Sequence, residues 1–284
     1  MIDNDAPLCL PPRPISGPVS TLPPGTVDTH FHVFNADAPL NTPRSYTPRI
    51  VTLDDWSTYA EAAGIARGVL VQPSVYGLDN RVLLTALAGD AERLRGVLVI
   101  PPETSTTELQ RLDRLGVRAV RINLRNKAGI GLDALEYLAP RIRSLGWHVQ
   151  FQIGPEAIGN VADLAQRHDI TGVIDHLAFM PLDLVGPALD DMLQALDSGR
   201  IYVKISAPYR MRDTANSDGY RQVVAALAAS HADRLLWASD WPHTELFDSM
   251  VDDASLLALS LEALPASTHD LVFVHNAAPL YWSH

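Results

Sequence analysis

The sequence is poor in cysteine and in basic residues. Cys9 is the only cysteine among 284 residues, so no disulfide can form within the chain. The 22 lysines and arginines are outnumbered by 33 aspartates and glutamates, which gives a formal net charge of −11. An acidic surface disfavours binding to nucleic acid and to anionic membranes. We therefore predict that neither is a partner.

Long apolar runs are also lacking. No run approaches the ~18 apolar residues that a membrane helix needs. The first five residues include two aspartates and no basic residue, so they do not show the basic-then-apolar order of a signal peptide. Together with the single cysteine, these features predict a cytoplasmic protein. The hydrophobic content of 47% is enough to build a substantial core.

Proline is concentrated near the start of the chain. Proline fixes the backbone φ angle and removes a hydrogen-bond donor, so a proline-rich stretch favours an extended conformation. We predict that residues 1–25 form an extended arm, either disordered or draped over the main body. The main body would then comprise residues 26–284.

Beyond the arm, short apolar β-branched runs alternate with helical patterns. The runs begin near residues 27, 68, 96, 117, 147, 171, 201 and 235, the last predicting a strand over 235–239, and the helical patterns near the end of the chain include helices over 182–196 and 268–280. The first helix has a clear start at Thr52, followed by acidic residues, and a clear end at Gly64. Eight strand–helix units predict a single α/β domain, a (β/α)₈ TIM barrel. An open doubly wound sheet would usually carry a glycine-rich loop after its first strand, and histidines stand there instead.

Those histidines lie in the stretch Val27–Phe34. Alternate residues of a strand share a face, so His30 and His32 point the same way, with Asp28 two residues earlier. Two imidazoles on one face would bind a metal ion, polarise a carbonyl group or orient a water molecule. The pair alone does not separate these roles from that of two ordinary half-buried histidines.

Polar residues follow most of the other strands as well. The active site of such a barrel lies at the carboxyl ends of its strands, so these residues are expected to converge there. Asp240 ends the apolar run that begins at Leu235, and it is a candidate general base or metal ligand facing His176. Structural roles remain open for Asp175 and Lys204, and His243 is expected to lie past the pocket. The strand ends carry Gln72, Ser74, Tyr76, Arg121, Asn123, Arg125, Lys127, Gln150, Gln152, Asp175, His176, Lys204, Ser206, Tyr209, Arg210, Asp240 and His243.

An ordered set of segments along the barrel resembles the amidohydrolase superfamily, and within it the 2-pyrone-4,6-dicarboxylate lactonase group. The segments are Asp28–Phe34, Val71–Ser74, Gly77–Asn80, Gly116–Asn123, Gly146–Val149, Val173–His176, Trp237–His243 and Asn276–Trp282. The resemblance implies a (β/α)₈ barrel that hydrolyses a carboxylated lactone. The substrate would be similar to 2-pyrone-4,6-dicarboxylate, to a sugar-acid lactone or to a muconolactone.

The resemblance also implies roles for single residues. Asp240 would activate water, and His30, His32 and His176 would surround the scissile carbonyl group. Arginine suits carboxylate binding, because its planar guanidinium group donates two parallel hydrogen bonds. The residues implied to hold the substrate are Tyr46, Ser74, Arg121 and Arg210, together with Lys127 and Gln152 at positions where the group has arginine and tyrosine.

The cofactor prediction follows from strand four. This strand ends in Arg121-Ile122-Asn123-Leu124 and lacks the lysine that bridges two metals in the superfamily, so a binuclear centre is not expected. We expect that no cofactor is required, since an arginine-rich pocket already stabilises an oxyanion. The alternative is one divalent ion such as zinc, held by His30, His32, His176 and Asp240.

Three other functions stay open at this stage. A lactone isomerase or a zinc-dependent decarboxylase would use the same aspartate and histidines for proton transfer. A barrel without catalytic activity would simply bind a carboxylated molecule or a protein partner. The sequence does not decide whether the chain forms a homo-oligomer.

Overall fold

The computed structural model describes residues 6–15, 19–211 and 216–283. Within these ranges eight parallel strands form one sheet, and strands that follow one another in the chain are neighbours in the sheet. This arrangement confirms the predicted (β/α)₈ barrel. The strands are β1 (Val27–Phe31), β2 (Arg67–Val71), β3 (Leu94–Leu98), β4 (Val117–Asn123), β5 (His148–Gln152), β6 (Gly172–Ile174), β7 (Ile201–Lys204) and β8 (Leu235–Leu236).

Backbone hydrogen bonds between β1 and the segment after β8 close the barrel. The amide of Asp240 donates to the carbonyl of His30 at 3.0 Å, and the amide of His32 donates to the carbonyl of Trp241 at 2.9 Å. The buried carboxylate of Asp28 accepts hydrogen bonds from the amide and the hydroxyl of Ser239, at 2.9 and 2.6 Å. These contacts place the last strand end directly beside the first.

Ten α-helices lie in the described parts of the chain. None of them combines the length and the apolar content that crossing a membrane would require. The helices are α1 (Leu53–Ala63), α2 (Arg81–Gly89), α3 (Thr106–Arg114), α4 (Leu135–Arg143), α5 (Ile158–Arg167), α6 (Pro187–Asp197), α7 (Ser217–His231), α8 (Asp253–Glu262), α9 (His269–Phe273) and α10 (Ala278–Tyr281).

Helix α1 begins and ends where the sequence predicts. The side chain of Thr52 accepts a hydrogen bond from the amide of Asp55, and the carboxylate of Asp55 accepts one from the amide of Thr52. This reciprocal pair satisfies two amides that the first helical turn leaves without partners. Gly64 ends the helix with a φ of 78°, a left-handed conformation that glycine adopts without steric cost.

Three predicted elements differ from the structure. Strand β8 has two residues instead of the predicted five, because Trp237 and Ser239 turn towards β1 to close the barrel. Helix α6 begins at Pro187, whose fixed φ suits a first helical turn, and not near residue 182. The single helix predicted over residues 268–280 is split into α9 and α10, because the Asn276 side chain donates to the Ala232 and Leu235 carbonyls, at 2.8 Å each.

Residues 6–15 lie against the loops at the carboxyl ends of the strands. The amide of Cys9 donates to the carbonyl of Thr47 at 2.9 Å, and the amide of Leu10 donates to the carbonyl of Leu246 at 2.8 Å. The predicted arm over residues 1–25 falls partly outside the described residues. Its separation from the barrel as a unit stays a prediction.

Small residues on the strands make room for the helices. Gly68 in β2 packs against Trp56 of α1, whose ring stacks on Phe31 with the centroids 4.0 Å apart. A Cβ atom added at Gly68 would lie 2.4 Å from the Trp56 ring and 2.7 Å from the Phe31 ring. The strand therefore tolerates no side chain at this position without displacing buried aromatic groups.

We predict that Gly68→Ala lowers the free energy of unfolding by about 2 kcal/mol or more, because the new methyl group overpacks the core. Gly159→Ala is the matched control. It lies on an exposed face of α5, and its Cβ would meet nothing within 4 Å. Alanine favours the helix there, so this variant should be unchanged or more stable by up to about 1 kcal/mol. Urea denaturation measures both, and equal stability of the two variants would contradict the packing argument.

Candidate active site

Two imidazole nitrogens from the first strand end face each other. The Nε2 atoms of His30 and His32 lie 3.2 Å apart. The Nδ1 atom of His32 lies 2.7 Å from the carbonyl of Val71, a group that only accepts hydrogen bonds, so the proton is on Nδ1. The Nδ1 atom of His30 lies 3.2 Å from the Asp175 carboxylate. We assign its proton to that side as well, which leaves both Nε2 lone pairs free.

The Nδ1 side of the His30 ring contacts a buried cluster formed by Asp175, Lys204 and Gln150. The Asp175 carboxylate lies 3.1 Å from the Lys204 ammonium group and accepts a 3.0 Å hydrogen bond from Gln150. Burial alone would raise the pKa of Asp175, but Lys204 and His30 outweigh it and hold the pKa well below its ordinary value. Burial lowers the pKa of Lys204 to about 8. The ionised carboxylate thus fixes the orientation of the His30 ring.

His176 completes the set of imidazoles. Its Nδ1 atom lies 2.8 Å from the Ser206 hydroxyl, and its Nε2 atom lies 3.5 Å from Oδ1 of Asp240. Burial lowers the pKa of His176 to about 4 and that of His32 to about 3, and it also lowers the pKa of His30. All three rings are therefore neutral at pH 7 and able to offer a lone pair.

The carboxylate of Asp240 is held by one of its two oxygens. Its Oδ2 atom accepts hydrogen bonds from the Tyr209 hydroxyl at 2.6 Å and from Arg210 Nε at 2.7 Å. Burial on its own raises the pKa of Asp240, yet the Arg210 guanidinium group and the imidazoles outweigh it and keep the pKa well below its ordinary value. The other oxygen, Oδ1, faces His176 and also His30, whose Nε2 atom is 3.9 Å away. This ionised oxygen is directed into the site.

The structure adds a polar chain that the sequence did not reveal. The Tyr209 hydroxyl lies 2.9 Å from Nδ1 of His243, and Nε2 of His243 lies 3.0 Å from the Asp253 carboxylate. His243 and Asp253 are buried behind Tyr209. His243 thus lies beyond the imidazole cluster, as expected, but it supports the tyrosine that holds Asp240. Asp253 begins helix α8, where an acidic residue ordinarily suggests only a favourable helix start.

The predicted substrate-binding residues occupy different places around this cluster. Arg121 donates to the Gln72 carbonyl at 2.9 Å and to the Gln152 side chain. Tyr46 and Ser74 are buried in the loops after β1 and β2. Lys127 is exposed, and its amide donates to the Ser45 hydroxyl at 3.2 Å. Asp28, the third residue on the histidine face, accepts a hydrogen bond from the backbone amide of His30 and not from its ring.

The donor atoms fit one divalent ion. Ligand atoms of His30, His176 and Asp240 all lie within 4.8 Å of one another. Two ligands of a tetrahedral zinc ion at ~2.1 Å stand roughly 3.4 Å apart. Within this group His176 and Asp240 lie 3.5 Å apart and His30 and Asp240 lie 3.9 Å apart, while His32, outside the group, lies 3.2 Å from His30. Because neutral imidazoles and an ionised carboxylate converge at that spacing, the residues present suit a zinc-like ion.

The fold and this site together define a (β/α)₈-barrel hydrolase. The chain belongs to the amidohydrolase family, whose profile matches residues 27–282. It is 34% identical to a 4-sulfomuconolactone hydrolase of Rhizobium radiobacter, over 97% of this chain and 96% of the relative. It is 32% identical to a 2-pyrone-4,6-dicarboxylate hydrolase of Comamonas testosteroni, over 94% and 93% of the two chains.

Solved structures share the architecture. A putative 2-pyrone-4,6-dicarboxylic acid hydrolase of Pseudomonas putida superposes with a TM-score of 0.80 at 32% identity, covering 92% of this chain and 98% of that one. An amidohydrolase of Burkholderia multivorans, solved with bound zinc, has a TM-score of 0.64 at 21% identity, covering 90% and 98%.

The cofactor prediction needs correction. We expected that no cofactor is required, but the three donor groups of the site are arranged for one divalent ion, and a structure of the same fold contains zinc. The arginines on which that expectation rested do not replace the ion. Arg210 binds Oδ2 of Asp240, and it does not occupy Oδ1 of Asp240 or the Nε2 lone pairs of the histidines, which are the atoms that would bind the ion. His30, His176 and Asp240, three of the four residues of the alternative prediction, are therefore the ones whose donor atoms are grouped to hold the ion.

We predict that the purified protein binds about one Zn²⁺ ion per chain and that His176→Ala lowers the affinity at least tenfold. Protonation of the histidines should compete only below about pH 4, because burial has lowered their pKa values. The affinity should therefore change little between pH 7.5 and 5.5. Calorimetric titration measures both quantities. A tenfold loss on that acidification would indicate histidines with ordinary pKa values. His231→Ala, at the end of α7, is the control.

A second prediction concerns Tyr209. Tyr209→Phe removes the 2.6 Å hydrogen bond to Oδ2 of Asp240 while preserving the ring. We expect kcat to fall about tenfold with little change in KM, because the carboxylate is held less firmly but the substrate contacts remain. Tyr137→Phe, on the exposed surface of α4, should leave both constants unchanged. An unaltered kcat in Tyr209→Phe would contradict this role.

Proposed function

We propose that the protein hydrolyses a lactone that carries a carboxylate group, with Asp240 as general base. The observation that carries this proposal is the position of Oδ1 of Asp240. This ionised oxygen lies among three neutral imidazoles at the carboxyl end of the barrel, while its partner oxygen is occupied by Tyr209 and Arg210. The lactone hydrolases at 30% identity or more support the same reaction class.

Asp240 acts twice in the proposed reaction. Its Oδ1 atom accepts a proton from a water molecule, whose oxygen attacks the lactone carbonyl carbon. The tetrahedral intermediate then collapses, the bond between that carbon and the ring oxygen breaks, and Asp240 returns the proton to the leaving oxygen. The product is the ring-opened acid.

The neutral imidazoles present Nε2 lone pairs to the site, so they suit binding of a cation and do not themselves donate to the oxyanion that develops on the carbonyl oxygen. A divalent ion bound by His30, His176 and Asp240 would supply Lewis-acid polarisation of that carbonyl group. The chain itself keeps the rings in place, because His30 is bound by Asp175, His32 by the Val71 carbonyl and His176 by Ser206. Rings fixed in this way need little reorganisation during the reaction.

Cationic groups would position the substrate. Arg121 lies in β4 and Arg210 follows β7, while Tyr46 and Ser74 lie in the loops after β1 and β2. Lys127 lies at the rim, where it would attract an anion. Positioning of this kind lowers a barrier by several kcal/mol in favourable cases. A cytoplasmic location and a homo-oligomeric assembly stay predictions.

The central test is Asp240→Asn. Replacing the base with a neutral amide should lower kcat for lactone hydrolysis by about 10²–10⁴-fold, because the water molecule loses its proton acceptor. Asp248→Asn, on the exposed loop that follows, is the matched control and should retain wild-type activity. Muconolactone and 2-pyrone-4,6-dicarboxylate serve as substrates, assayed with and without added Zn²⁺. Wild-type activity in Asp240→Asn would exclude Asp240 as the base.

Isotope labelling separates hydrolysis from the alternatives. With ¹⁸O-labelled water, hydrolysis places one labelled oxygen in the new carboxylate of the product. A lactone isomerase would return a lactone without added water, and a decarboxylase would release carbon dioxide. Turnover without incorporated label would therefore overturn the hydrolase proposal, and no turnover in any assay would favour a binding protein.

A further inference from the structure

The two arginines implied to bind the substrate already have acceptors within the chain. Arg210 donates to Asp240 through Nε, to Glu245 through Nη1 at 3.1 Å and to the Thr244 carbonyl through Nη2 at 2.8 Å. Arg121 donates to the Gln152 side chain and to the Gln72 carbonyl. A substrate carboxylate at either arginine therefore meets an existing partner.

A continuous polar belt links these arginines across the mouth of the barrel. Gln152 accepts from Arg121 and donates to the Asn126 side chain at 3.0 Å. Asn126 in turn donates to the Glu245 carboxylate at 2.9 Å, and Glu245 accepts from Arg210. The belt thus runs from β4 to β7 through the residues Gln152, Asn126 and Glu245. Of these three linking residues, Glu245 is the one that carries a charge.

The belt borders a cavity whose lining includes Tyr209 and Arg210, the two residues that hold Asp240. This cavity has a volume of about 190 Å³ and is lined by Arg125, Asn126, Phe179, Tyr209, Arg210, Glu245 and Leu246. The Arg125 guanidinium group lies over the Phe179 ring, 3.9 Å from its centroid. Two cations and one fixed carboxylate therefore line the cavity wall. Because Arg210 is already shared by Asp240 and Glu245, the wall offers the Arg125 guanidinium group to one incoming anion and opposes a second anion near Glu245.

We propose that Glu245 is a specificity-determining residue that occupies one of two anion subsites, so that the preferred substrate is a lactone with a single anionic group. This inference rests on the proposed lactone hydrolysis and refines its substrate class. A lactone with two carboxylates has to bring its second charge against Glu245 or displace it from Arg210. Like charges at that distance disfavour binding, which is how a site rejects an unwanted ligand.

The position of Glu245 is set by the amino-terminal segment. Its backbone amide donates to the Cys9 sulfur at 3.3 Å, and the carbonyl of the next residue, Leu246, accepts from the Leu10 amide at 2.8 Å. Glu245 is therefore fixed in two ways. Its backbone is held by the amino-terminal segment, and its carboxylate oxygens are held by Asn126 and Arg210. An anchored carboxylate is displaced less readily by a substrate than a mobile surface side chain.

The test compares Glu245→Gln with the wild-type protein on muconolactone, which has one carboxylate, and on 2-pyrone-4,6-dicarboxylate, which has two. We expect Glu245→Gln to raise kcat/KM for the dicarboxylate relative to the monocarboxylate by about tenfold or more, mainly through a lower KM for the dicarboxylate. Comparing ratios between variants cancels the intrinsic reactivity of the two lactones. The isosteric amide keeps the contact with Asn126, and the melting temperature verifies that the variant is folded.

Asp248→Asn is the control for charge alone, since it removes an exposed carboxylate three residues away and should leave the ratio unchanged. The inference is overturned if Glu245→Gln shifts the ratio less than about twofold, or no more than Asp248→Asn does. Failure of the proposed function has a different signature, because then the wild-type protein would hydrolyse neither lactone.

Discussion

The chemistry of this protein depends on how its first and last strands meet. The amide of Asp240 donates to the carbonyl of His30, and two residues further along the chain, just after β1, the amide of His32 donates to the carbonyl of Trp241. Residues more than two hundred positions apart in the chain are thereby held in register by the backbone itself. The carboxylate and the imidazoles are neighbours because the barrel closes. Any change that separates the first and last strands would also separate the groups proposed to perform the reaction.

Burial gives the same groups their protonation states. Removing an imidazole from water favours its neutral form, whereas the carboxylates of Asp175 and Asp240 remain ionised because cations lie beside them. The site therefore combines neutral imidazoles with two ionised carboxylates. Asp175 orients the His30 ring, and Asp240 faces the proposed substrate position. Burying such charges is costly unless they are paired, and Lys204 and Arg210 provide the pairing here.

Much of this arrangement follows from the sequence, since strands of a parallel barrel present their polar ends on one side. The helix start at Thr52 and the side-by-side placement of His30 and His32 follow from local patterns, while the catalytic role of the two imidazoles stays a prediction. The roles of His243 and Glu245 were not foreseen, because they depend on contacts with side chains from other strands. Element ends also differed where closure or a distant hydrogen bond outweighed local propensity, as in β8 and before α10.

The loop after β8 carries a conformational requirement of its own. Asp240, His243 and Glu245 all have left-handed backbone angles, with φ of 62°, 62° and 65°. Such angles suit asparagine, aspartate and glycine and strain β-branched residues. The repertoire of tolerated replacements at these three positions is thus narrowed by geometry before any catalytic requirement applies. Laboratory evolution of new substrate preferences would progress faster by diversifying Gln152 and Asn126, whose backbones carry no such restriction.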